Sequence, residues 1–175
     1  SQSAGPNLLA ISTSNLNLND IGLSIQTGGT ATTTVTVSGG QMNTNTERAM
    51  DVTANSSGTT TVNVNGTTLT GNQQGGLFFN AGGSGTLNTT ITGASFNNNT
   101  VDDINIAAIG SVLVNAQILN NTNINSSEDG LVVSAGGTSA VGVLLSGNNF
   151  NGSGAAGNAV SLTSTGQGNI WATLQ

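Results

Sequence analysis

Apolar residues alternate with polar ones in short bursts along this chain, and the bursts recur at a fixed spacing. After Gly76 comes Leu77-Phe78-Phe79-Asn80-Ala81. Twenty-seven residues on stands Ile104-Asn105-Ile106-Ala107-Ala108, and 27 further Leu131-Val132-Val133-Ser134-Ala135. Stepping back by 27 gives Met50-Asp51-Val52-Thr53-Ala54, then Leu23-Ser24-Ile25-Gln26-Thr27. A last copy, Val160-Ser161-Leu162-Thr163-Ser164, follows after 29. Period-two alternation predicts a strand with one buried face. One such strand per fixed period predicts a solenoid, in which each coil covers its neighbour's apolar side.

A second set of alternating pairs keeps the same phase: Leu8 and Ala10, Val35 and Val37, Val62 and Val64, Thr89 and Ile91, Ala116 and Ile118, Val143 and Leu145. These predict the inward column of a second strand. A corner of small residues follows, at Ser12, Gly39, Gly66, Gly93, Asn120 and Gly147, where Gly and Asn tolerate the positive φ of a tight bend. Three residues later comes a bulky apolar position, at Met42, Leu69, Phe96 and Phe150. It is displaced by one at Leu16 and Ile124, which are read as bulges. Beyond it stand Asn19, Asn45, Asn72 and Asn99, then Ser127 and Ser153. At ~4.8 Å per rung, stacked side-chain amides can hydrogen-bond along the column as a ladder.

Each coil therefore has two clear strands and one short one, separated by three bends. The prediction is an all-β, parallel β-helix solenoid, with residues 1–175 forming one domain. Its coils begin near residues 8, 33, 60, 87, 114, 141 and 170, about six coils of ~27 residues plus a partial seventh. Parallel crossovers are nearly always right-handed, so that hand is expected. A β-sandwich of short strands is the alternative, but it does not predict constant apolar phase over successive 27-residue steps.

The chain ends one strand into the seventh coil, with Ala172 and Leu174 placed under Val143 and Leu145. An unpaired sheet edge there is expected to be covered by more of a longer array or by another subunit. Five residues form the candidate interface. Phe78 and Val132 lie on the outer face of the recurring strand with Asn105 between them, and Ile170, Trp171 and Leu174 lie at the open end.

Composition narrows the function classes. Hydrophobic residues make up 35% of the chain, with 26 Gly and only four Phe and one Trp. That is thin for a globular core but adequate for a narrow solenoid interior. With one Lys or Arg, seven Asp or Glu and a net charge of -6, a phosphate backbone has nothing to hold it. No apolar run is long enough to span a bilayer as a helix. Without His or Cys, zinc and acyl-transfer sites are excluded. Scarce Lys and Arg leave few trypsin-type cleavage sites, which suits an extracellular protein.

The candidate chemistry is an acidic turn. Asp102 and Asp129 are 27 apart, hence on adjacent rungs, flanked by Asp103 and Glu128. Such carboxylates can bind Ca²⁺ with turn carbonyls or run glycoside hydrolysis; the plainer reading is a solvated, charged turn. No aromatic sugar platform is evident beside the group. Arg48 lies in the same column two rungs away and is expected to pair with Glu47 or Asp51. Thr32-Thr33-Thr34 and Thr59-Thr60-Thr61 raise ice binding. However, the outward column Leu9, Thr36, Asn63, Thr90, Gln117, Leu144 is not a uniform Thr rank, and Thr favours strands in any case.

The bulky-x-x-Asn pattern of Phe96-Asn97-Asn98-Asn99, with its Gly corners and 27-residue coils, resembles right-handed parallel β-helix domains of bacterial surface proteins. Autotransporter passenger regions and chlamydial polymorphic membrane proteins look similar. The Gly-Gly-Ala-aliphatic motif of the chlamydial group is missing, since Thr138-Ser139 follows Gly136-Gly137. The resemblance implies a secreted, elongated adhesin or scaffold. The expected function is thus a non-enzymatic extracellular rod segment or filament subunit without an obligate cofactor. It would associate end to end and contact a glycan or host surface. A carbohydrate module using the acidic turn is second, and ice binding is third.

Overall fold

A computed structural model of the chain describes residues 5–151 and 157–175. Among these residues there are fifteen strands and no helix. In chain order they are β1 (Asn7–Ser12), β2 (Leu23–Gly29), β3 (Thr33–Ser38), β4 (Arg48–Ser56), β5 (Thr59–Asn65), β6 (Thr68–Thr70), β7 (Gly75–Ala81), β8 (Thr86–Thr92), β9 (Ser95–Asn97), β10 (Ile104–Ala108), β11 (Leu113–Leu119), β12 (Leu131–Ala135), β13 (Ala140–Ser146), β14 (Val160–Ser164) and β15 (Asn169–Leu174). Seven of them form one parallel sheet, in the order β1-β3-β5-β8-β11-β13-β15. Six form a second, β14-β12-β10-β7-β4-β2. The short third wall is the pair β6-β9, extended by single bridges such as Gln41 to Thr68 and Ser95 to Thr122. The chain is a parallel β-solenoid of about six turns.

The recurring strand stacks in register. Leu23, Met50, Leu77, Ile104, Leu131 and Val160 are paired rung by rung. Inside the coils, Val52, Phe79, Ile106 and Val133 are buried from one sheet, and Val35, Val62, Ile118 and Val143 from the other. Met42, Leu69, Phe96 and Ile124 are buried from the third wall. Each such side chain contributes roughly 1.5–3 kcal/mol relative to exposure. The core is therefore a stack of similar layers, and no single cluster dominates it.

The first coil corrects the expected register. Leu9 pairs with Val35 and Ile11 with Val37, so Leu9 and Ile11, and not Leu8 and Ala10, belong to the inward column. Ala10 replaces Leu9 in the outward one. The corner there is Thr13 (φ 46), stacked on Gly39 (φ 65), in place of Ser12. Leu16 is no bulge: its N–H donates to Gln41 O as that of Met42 donates to Thr68 O. The first step is 26 residues up to Asn19, and the missing residue is lost in the turn before β2. In the fifth coil the extra residue is real. Thr122 bridges Ser95, Ile124 bridges Phe150, and Asn123 between them takes φ 51. The phase recovers at once, so Ser126 is buried in the asparagine column and Ser127 is exposed. Ser153 lies outside the described residues.

Candidate functional site

Every charged residue belongs to one edge of the solenoid, and all but Asp103 keep the side chain there. Asp20, Glu47, Arg48, Asp51, Asp102, Asp103, Glu128 and Asp129 all lie in the turn leading into the six-stranded sheet or at that sheet's entry. The strands of the seven-stranded sheet carry none. The acidic turn belongs to this charged stripe. Gly76 lets the turn approach closely, because a Cβ there would overlap the Asp103 carbonyl oxygen and press on the Phe96 ring.

The structure brings Asp102 and Asp129 together on adjacent rungs and commits both. Asp102 Oδ1 accepts the Asp129 N–H at 3.3 Å, and its Oδ2 accepts from Asn105 Nδ2 at 2.8 Å. Asp129 Oδ1 accepts from the Asn158 N–H at 2.5 Å and from Asn158 Nδ2 at 3.1 Å. Glu128 is exposed. Asp103 is separated from the other three: it stands in the turn just before β10, and the turn carries it inward beside Ile104, so that two consecutive residues are buried and Asp103 wholly so. Among the described residues, no group of three or more His, Cys, Asp or Glu is arranged to hold a metal ion.

Asp103 closes the asparagine column. Asn45 Nδ2 donates to Asn72 Oδ1 and Asn72 Nδ2 to Asn99 Oδ1, each at 2.9 Å. The backbone N–H groups of Asn19, Asn45 and Asn72 donate to the side-chain oxygen one rung on. Asn99 Nδ2 then donates to Asp103 Oδ1 at 2.6 Å. Asp103 Oδ2 is buried and meets no donor. Burial pushes the carboxyl from 3.8 up to about 7, and the nearby Asp102 charge adds to the rise. The Asn99 amide and the Asn125 backbone N–H oppose it.

A second amide column, Asn121 and Asn148, escaped the sequence reading. Asn121 Nδ2 donates to Asn148 Oδ1 at 2.9 Å and also to the Ile91 carbonyl, and Asn148 Nδ2 donates to Ile118 O. Their 27-residue spacing was a usable signal. It was masked by the abundance of Asn and by Thr67 and Ala94 at the equivalent earlier positions.

Arg48 pairs with Asp51 at 2.8 Å and lies 4.1 Å from the centre of the Phe78 ring. Phe78 thus faces outward, paired with Asp51 and Asn105, but its face is covered by the guanidinium. An aromatic ring does neighbour the acidic turn, which the sequence reading missed. The cleft between Arg48, Gln74, Phe78, Asp102 and Asn105 measures about 60 Å³, room for a few waters and far below a typical ligand site.

The five interface candidates occupy three different places. Phe78 and Val132 are half-buried on the outer face of the six-stranded sheet, with Asn105 between. Ile170 and Leu174 point along the inward column at the last rung, following Val141 and Leu145. Leu174 there is 72% exposed, and Leu162, on the last strand of the six-stranded sheet, 44%. Trp171 faces out of the seven-stranded sheet and is 60% exposed. In comparisons with protein-family models, with curated proteins and with solved structures, nothing matches the chain.

Proposed function

We propose that this chain is a segment of an extracellular structural rod, of the adhesin or filament kind, whose function is to extend a constant cross-section by stacking coils. One observation carries the reading: the inward columns run in register from coil to coil, so the same apolar cross-section repeats at every rung. A repeating cross-section of this kind extends by stacking coils of the same shape, within one polypeptide or between two. Apolar burial drives that association, and unpaired strand edges direct it.

The charged stripe supports the same reading. The carboxylates that reach solvent on this edge, among them Asp20, Glu47, Asp102, Glu128 and Asp129, repel lateral neighbours along it. The scarcity of Lys and Arg fits an exposed, protease-challenged location.

Light scattering coupled to size exclusion, with negative-stain microscopy, tests the proposal. Concentration-dependent growth along one axis is the expected result. Particles that remain compact monomers at high concentration count against the self-stacking version and leave only continuation within one polypeptide. Association through the sides of the coils would contradict both.

A further inference from the structure

We infer that the outer face of the seven-stranded sheet carries a binding groove for a neutral oligosaccharide, built around Trp171 and Gly142. The groove is about 300 Å³ and is lined by Asn115, Gln117, Gly142, Leu144, Trp171 and Thr173. That volume is at the lower end of small-molecule sites and several times the cleft beside Asp102.

The register makes the groove. Gly142 sits between Asn115 on one neighbouring strand and Trp171 on the other, and Leu144 sits between Gln117 and Thr173. A side chain at 142 would fill the space between the amide and the indole. Nothing in the fold demands glycine there. Its φ is not in the left-handed region, and an added Cβ would meet its nearest neighbours at 3.8 and 3.9 Å, ordinary contact distances. Glycine inside a strand costs roughly 0.5–1 kcal/mol relative to alanine. Strand glycines often stand at a bulge, at a tight bend or where a ligand or another backbone comes close. Gly142 pairs in regular register on both sides, which leaves close approach.

The lining selects the ligand. An indole face is electron-rich and attracts the polarised C–H groups on the flat face of a pyranose ring. Amides and a hydroxyl offer both donors and acceptors to sugar hydroxyls. Asn115 Nδ2 is held by Asn88 Oδ1 at 2.9 Å, which fixes that amide in place beside the slot. Gln117 and Thr173 are exposed and enter no side-chain hydrogen bond among the described residues. No strand of this sheet carries a charged side chain, so the face has nothing to pair with an anionic or cationic ligand. Additional coils would add to the strand edge and leave this outward face open.

Trp171 is the only tryptophan and the chain has no tyrosine, so intrinsic fluorescence reports on the groove directly. The native protein is titrated with cellohexaose, mannohexaose and laminarihexaose, and with an oligogalacturonate as the charged comparison. A saturable change in emission with at least one neutral sugar, and none with the charged one, is expected. Gly142→Leu should weaken that binding at least tenfold while far-UV circular dichroism is unchanged. Gln117→Ala, on the exposed face, should weaken it several-fold and keeps the test decisive if the leucine variant fails to fold. The inference is overturned if no neutral sugar saturates below ~10 mM, or if both variants bind as the native protein does.

Discussion

Asn99 donates its side-chain amide to the carboxylate of Asp103 at 2.6 Å, and both residues are wholly shielded from solvent. The asparagine column that stitches four coils together therefore ends on a group able to ionise. A buried carboxyl with one oxygen unpartnered favours its neutral form.

Stability should consequently fall as pH rises from acid toward neutral. Below 3.8 Asp103 is protonated in the folded and unfolded chain alike, and it contributes no pH dependence. Between 3.8 and about 7 the unfolded chain has released the proton and the folded one keeps it. Unfolding is then favoured by ~1.4 kcal/mol for each pH unit. Above about 7 both states are ionised and the penalty is constant. Asp103→Asn removes the titration while keeping an acceptor for Asn99. Thermal melts from pH 4.5 to 8.5 should show the difference between variant and native Tm growing in the variant's favour as pH rises, then levelling off above 7. A difference independent of pH would contradict the assignment.

Removing one amide from the interior of the ladder should be costly. Asn72 accepts from the Asn45 N–H and Nδ2 and donates to Met42 O and Asn99 Oδ1. Asn72→Ala leaves these groups buried and unpartnered, a loss of about 3 kcal/mol. Asn65→Ala, at an exposed position, should cost less than ~0.5 kcal/mol. Urea unfolding of the two variants measures the contrast.

The corner glycines divide into two kinds. Gly40 has φ +75, and an added Cβ would overlap the Ser14 carbonyl oxygen and press on the Ser14 backbone nitrogen. Gly66 has φ +60 with nothing within 4 Å, and Asn120 holds the same corner at φ 54. Gly40→Ala should lower stability by more than ~2 kcal/mol. Gly66→Asn should change it by less than ~1 kcal/mol. Tm measurements on both variants check the ordering.

How much of this was legible in the sequence depends on how distinctive each position is. Leu77, Ile104 and Leu131 are apolar residues flanked by polar ones, so their file could be read directly. The segment Asn7-Leu8-Leu9-Ala10-Ile11 is apolar at four consecutive positions, and alternation cannot say which pair faces inward. The 26-residue spacings of Leu16 to Met42 and Asn19 to Asn45 held the answer, since two neighbouring elements shifted by the same amount. At the acidic turn, spacing placed Asp102 and Asp129 on adjacent rungs. It could not show that Asp103 turns into the core, because Ile104 and Ile106 face inward and alternation alone would place Asp103 outward; the turn before β10 overrides it. The Trp171 groove was out of reach for another reason: it is defined by what Gly142 lacks, and the strand pattern scores glycine as neutral.

The central claim is that the coils are stacked one rung at a time along a single axis, and paired spin labels test it most directly. The chain has no cysteine, so labels can be placed freely. Thr36, Gln117 and Thr173 stand in one outward column, with Gln117 three rungs and Thr173 five rungs from Thr36. At ~4.8 Å per rung the backbone separations are ~14 and ~24 Å. Pulsed electron–electron distance measurements should give a Thr36–Thr173 distance longer than Thr36–Gln117 by ~10 Å. Equal distances, or a shorter one for Thr173, would contradict the stack.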